Sequence, residues 1–205
     1  MSIFNLSLSP FKAEILCDEM AFDSNYTAKH AVTKVACLPA KGIVVFGQGS
    51  HLVGWRIVQH IEIHEATSFD DLAEVTKAAL DESLDYWDLD DGELYVIAGY
   101  DAARKRVRAA EVSAIEFDIL AQTAARIPAK VRELTDGIHL YPALIGATLP
   151  PKGGAELLKK AALIQHNTYS TPERTASGGR LWLYTVKREA MAAEKVGALP
   201  DIGAN

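Results

Sequence analysis

The chain has 205 residues, 49% hydrophobic and 23% charged, which is enough for one domain with a sizeable core. A net charge of -6 and a pI near 5.5 argue against a nucleic-acid or anionic-membrane partner, because such binding draws on clustered Lys and Arg. No apolar run reaches the roughly 18 to 20 residues that span a bilayer, and the N-terminus lacks the basic and hydrophobic zones of a signal peptide, so a cytoplasmic location is expected, with no membrane and no nucleic-acid partner.

Phe4, Leu6 and Leu8 alternate with Asn5, Ser7 and Ser9, the period of two that marks a half-buried strand, and Pro10 ends it. Ala13 to Asp18 reads as a second strand, and Asp23-Ser24-Asn25-Tyr26 as a loop leading to a third around Ala31 to Leu38. Pro39 to Gly42 turns the chain into the apolar strand Ile43 to Phe46. From Ser50 to Ile63, the residues Leu52, Val53, Trp55, Ile57, Val58 and Ile61 make an apolar face wide enough for a buried helix. Thr67-Ser68 offers an N-cap with Asp71 as a capping-box variant, and Leu72, Val75 and Ala79 follow at helical spacing. After the acidic loop Asp85 to Glu93, the strand Leu94 to Ala98 pairs with Val107 to Val112 in a hairpin that turns near Asp101. Ile115, Phe117, Ile119 and Leu120 suit a strand as well as a helix, so Ser113 to Thr148 stays unassigned. Ala155 to Gln165 is a helix, Leu181 to Val186 the final strand, and the chain beyond Met191 a frayed tail. One domain over 1–190 and a tail over 191–205 are therefore expected, and the order of elements suits a layered α+β sandwich.

The first 49 residues carry the chemistry. If Met1 is removed, Ser2 presents a hydroxyl and a free α-amine on one residue, so the amine can act as the base that activates the hydroxyl. A neighbouring ammonium, here Lys34, favours the neutral and basic form of that amine. Asp18, at the end of an apolar run, is the candidate partner for Lys34. The turn Gly47-Gln48-Gly49 closes the run Ile43 to Phe46, and the Gly49 N–H is a candidate donor to a developing oxyanion.

These residues resemble the proteasome β subunits and the bacterial HslV peptidase, within the N-terminal nucleophile (Ntn) hydrolases. Asp18 lies 16 positions after Ser2, and Lys34 lies 32 after it, similar to the family's spacings from nucleophile to Asp and to Lys. The glycine turn falls about one residue later than the family's, as a short loop insertion explains. Ser177-Gly178-Gly179 before Leu181 to Tyr184 resembles the family's Ser-Gly-Gly entry to its last core strand, with Ser177 positioning the amine. The sequence departs from the family at Arg174, where an orienting Asp is expected three residues before Ser177, and at Ser2, where threonine is usual. The resemblance implies a four-layer αββα sandwich, hydrolysis of peptide or small amide bonds, and self-association into a ring or other homo-oligomer. A second reading is a proteasome-fold protein without catalysis that serves as a structural or assembly component.

Other clusters have plainer readings. His60 and His64 flank Glu62 out of the metalloprotease register, and two ligands without a third do not make a zinc site. Asp85, Asp88, Asp90, Asp91 and Glu93 do not follow the calcium-loop order. Lys152-Gly153-Gly154 lacks the flanking residues of a phosphate loop. No metal and no cofactor are expected. Arg104-Lys105-Arg106 with Arg108 reads as an exposed hairpin, and Cys17 and Cys37 as buried thiols.

Overall fold

In the computed structural model, residues 3–22, 28–87, 93–118, 123–144, 153–170 and 177–200 are described. They fall into two compact units, one formed by Met1–Lys34 with Asp136–Asn205 and one by Val35–Thr135.

The first unit is built on a five-stranded antiparallel sheet. Its strands are β1 (Phe4–Ser9), β2 (Lys12–Asp18), β10 (Gly137–Tyr141), β11 (Arg180–Lys187) and β12 (Met191–Ala198), in the order β10-β1-β2-β11-β12. A separate two-stranded ribbon joins β3 (Met20–Phe22) to β4 (Ala28–Ala31). Helix α3 (Ala155–Tyr169) packs on the sheet through Leu158 and Ala162, which meet Ile3, Leu16, Leu181 and Leu183. Gly154 caps the helix, and a Cβ on Gly153 before it would lie 2.2 Å from the Leu157 side chain, so a larger residue there would have to push Leu157 aside. Part of this interface is polar. Asn5 and Gln165 exchange amide hydrogen bonds at 2.7 and 3.0 Å, and the Ser7 hydroxyl donates to the Gly153 carbonyl at 2.6 Å. Asn5 and Ser7, which alternation places toward water, are therefore buried as well.

The second unit has the sheet order β5-β6-β7-β8-β9, formed by β5 (Val35–Leu38), β6 (Ile43–Gln48), β7 (Leu94–Asp101), β8 (Arg106–Asp118) and β9 (Thr123–Glu133), all antiparallel. Helices α1 (His51–Ile63) and α2 (Phe69–Tyr86) cover one face. Val53, Ile57 and Ile61 recur every four residues on α1, and Leu72, Leu80 and Leu84 line α2. Both sets pack on Val45, Ile97 and Val112. Ser68 caps α2 as its sequence predicts, accepting the Asp71 N–H at 3.1 Å, while the Asp71 carboxylate takes the Ser68 hydroxyl at 2.5 Å.

Several expectations are corrected. The four-layer αββα sandwich is not found: the described residues form two five-stranded antiparallel sheets with three helices, a mostly β protein. The reason lies in the stretches that alternation left open. The unassigned span 113–148 supplies the end of β8 and all of β9 and β10, and the supposed frayed tail pairs with β11 as β12. The single strand expected over 31–38 breaks at Val32–Lys34, between β4 in the first unit and β5 in the second. Cys37 is exposed on the edge strand β5, whereas Cys17 is buried. Arg108 is not exposed either: it lies 3% accessible among Asp70, Asp101 and Glu133, with its guanidinium over the Phe69 ring. The loop 23–26 and the acids Asp88, Asp90 and Asp91 lie outside the described residues.

Candidate functional site

Antiparallel pairing sets Phe4 opposite Cys17, which brings Ile3, just before β1, beside Asp18 at the end of β2. The Ile3 N–H donates to Asp18 Oδ1 at 2.9 Å, and the Asp18 N–H returns a bond to the Ile3 carbonyl at 3.2 Å. On the other side of β2, Leu181 of β11 is opposite Asp18, and the Gly178 N–H reaches Asp18 Oδ2 at 3.1 Å. Lys34 closes the set, with Nζ at 2.8 Å from Asp18 Oδ1. The Asp18 side chain is fully buried and that of Lys34 is 9% exposed. A carboxylate this buried is tolerable because three donors, one of them the counter-charge Lys34, replace the water it loses.

Beside Lys34 opens a pocket of about 200 Å³, whose lining includes Glu19, Thr33, Trp182 and Tyr184. Glu19 accepts the Arg180 N–H and the Trp182 indole N–H, each at 3.1 Å. Burial pushes its carboxyl up, but the bonds from Trp182 and Arg180 outweigh that and hold it below the usual carboxylate range. Cys17 also lines the pocket, yet burial, reinforced by the Asp18 charge and opposed by Lys34, pushes its thiol up to about 12. A thiol so placed stays protonated at neutral pH and is no nucleophile.

Ser177 and His166 are both fully buried, with Ser177 Oγ at 2.9 Å from His166 Nδ1 and His166 Nε2 at 2.9 Å from the Pro200 carbonyl. Gly178, the next residue, carries the N–H that binds Asp18, so Ser177 and Asp18 belong to one network.

Gly49 sits in the second unit, at the turn before α1. There the buried Glu93 carboxylate accepts the Ser50 N–H at 2.6 Å and the Tyr95 hydroxyl at 2.7 Å. Burial first, and then the Glu93 charge, pushes the Tyr95 hydroxyl well above its ordinary pKa. A Cβ on residue 49 would lie 2.5 Å from the Glu93 carboxyl, so a side chain there would push Glu93 off its bonds to Ser50 and Tyr95. Of the five residues singled out in the sequence, Asp18, Lys34 and Ser177 are thus gathered in the first unit and Gly49 lies in the second, while Ser2 is outside the described residues. Sequence reasoning missed Glu19, Trp182 and His166. His166 had a signal: it is four residues beyond Ala162 and eight beyond Leu158, on the buried stripe of α3.

The fold is shared with solved structures of Anbu proteins. Among solved structures, a Gly-1 mutant of Anbu from Hyphomicrobium sp. strain MC1 superposes with a TM-score of 0.67 at 11% identity, covering 96% of this chain and 87% of the other. A second Anbu structure from the same strain gives 0.63 at 11% identity over 96% and 88% of the two chains. Anbu, described as an ancestral beta-subunit, from Yersinia bercovieri gives 0.64 at 11% identity over 96% and 87%. No family model matches the chain, and no curated protein does. The similarity corrects the resemblance to proteasome β subunits and HslV: these neighbours are Anbu proteins, proteasome-like but a distinct family, and at this identity the likeness shows the fold alone. No described helix is long and apolar enough to cross a membrane.

Proposed function

We propose that the chain is an amidohydrolase or peptidase whose nucleophile is Ser2, exposed by removal of Met1. The observation that carries this reading is the buried Asp18–Lys34 pair, held at 2.8 Å directly beside the amide of Ile3, the residue after Ser2. Ser2 Oγ attacks the carbonyl carbon of the substrate and its proton passes to the α-amine, which later returns it to the leaving amine. Lys34 disfavours a second positive charge nearby and so keeps that amine basic, while Asp18 holds Lys34. Ser177 positions the amine. Peptides or small amides enter through the pocket beside Lys34. Assembly into a ring or other homo-oligomer belongs to the same reading, and light scattering that finds only monomer removes it.

Intact-mass measurement tests the chemistry, because a peptide-bonded serine nitrogen cannot serve as the base. The expected mass lacks Met1, and an electrophile that captures terminal hydroxy-amines then modifies the protein but not its Ser2→Ala variant. A second reading, a catalytically inactive structural or assembly component, is favoured by Arg174, which stands where the resemblance expects an orienting Asp. Retention of Met1 would decide for it.

A further inference from the structure

We infer that His166 is a positioning residue for the N-terminal site, acting through Ser177; this rests on the hydrolase reading above. The tautomer follows from the partners. The Pro200 carbonyl can only accept, so Nε2, at 2.9 Å from it, carries the ring hydrogen. In the neutral ring Nδ1 is then an acceptor, and at 2.9 Å it takes the Ser177 O–H. Both side chains are fully buried, so water does not compete for these bonds.

The consequence is a fixed polarity at Ser177. With its one hydrogen committed to His166, Ser177 Oγ offers only lone pairs to any further neighbour. It can accept an N–H of the terminal amine, and it cannot donate into that amine's lone pair. The lone pair therefore stays available for the Ser2 hydroxyl proton. Ser177 is anchored for this task by its neighbour Gly178, whose N–H bonds Asp18 Oδ2 at 3.1 Å, while Asp18 Oδ1 holds both Lys34 and the Ile3 N–H. From α3 to the start of β1, the chain of bonds is continuous.

Two variants of the full-length protein separate positioning from scaffolding. His166→Asn places an amide oxygen near Nδ1, keeping the acceptor for Ser177 but losing Pro200. His166→Gln places an amide N–H near Nε2, keeping Pro200 but losing the acceptor. Labelling of Ser2 by the hydroxy-amine electrophile is expected to proceed in His166→Asn at close to the wild-type rate and to fall about tenfold to a hundredfold in His166→Gln, the scale of a misoriented reacting group. A merely structural role predicts the reverse order, because the Pro200 bond would then matter more. Equal rates in His166→Gln and wild type, both folded, overturn the positioning role alone; no labelling of the wild type overturns the hydrolase reading and the role with it. Should His166→Gln not fold, the imidazole ¹⁵N spectrum of the wild type decides. An unprotonated Nδ1 that changes its shift in Ser177→Ala supports the inference, and a protonated Nδ1 overturns it.

Discussion

Both carboxylate oxygens of Asp18 accept bonds from within the first unit, two from backbone amides and one from Lys34. Its removal strands a mostly buried ammonium and two amides together. Asp18→Ala is therefore expected to cost about 3–5 kcal/mol of stability. Lys34→Met should cost less, about 1–3 kcal/mol, because Asp18 keeps Ile3 and Gly178 as donors. Urea denaturation measures both, and equal losses would contradict Asp18 as the hub. Asp18 and Lys34 were legible because their offsets from Ser2 are similar to those of the family that the sequence resembles; Asp18 ends β2, and Lys34 stands just before β5. His166 and Glu19 were not, because a helix residue and a loop acid have no sequence period that names their partners across the fold.

Ser50 and Ser68 both cap helices in the second unit, but they do not do equal work. Ser68 holds the Asp71 N–H at 3.1 Å, whereas Ser50 accepts the Leu52 N–H at 3.3 Å in a turn already secured by Glu93. Ser68→Ala is expected to cost about 1 kcal/mol, a melting shift of about 2–4 °C for a chain of this size, and Ser50→Ala less; calorimetry on the two variants checks the order. Caps and amphipathic stripes are local, so α1, α2 and α3 were read correctly from the residues. The hairpin of Leu94 to Ala98 with Val107 to Val112 was read as well, as β7 and the first part of β8, but the end of β8 and all of β9 were not, because Ile115 and Phe117 suit a strand as well as a helix and short apolar runs do not separate the two.

Arg108 ties α2, β7, β8 and β9 of the second unit together through Asp70, Asp101 and Glu133. Burial raises the Asp101 carboxyl, but the Arg104 N–H, the Arg108 guanidinium and the Ala103 N–H bring it below its ordinary range. Glu133 is lowered by its bond to Arg108, against burial and with further help from Arg108 and Arg104 charge. Carboxyls depressed in the folded state contribute stability above their unfolded pKa, about 4, and lose it as pH falls through the folded value. Stability should thus decline below about pH 4. Arg108→Met is expected to be clearly destabilised at pH 7 and progressively less so at pH 3, where the acids it leaves unpaired take up protons. Denaturant midpoints at the two values check this, and a constant deficit would count against it. Taken alone, the sequence determined the three helices and the first two strands, since these follow from caps and local periodicity. Tertiary structure decided the division into two sheets, the strand made from the supposed tail, and the partners of His166, Glu93 and Arg108. Those depend on which distant segments share a sheet or a buried polar atom, a pairing energy that no short window of residues contains.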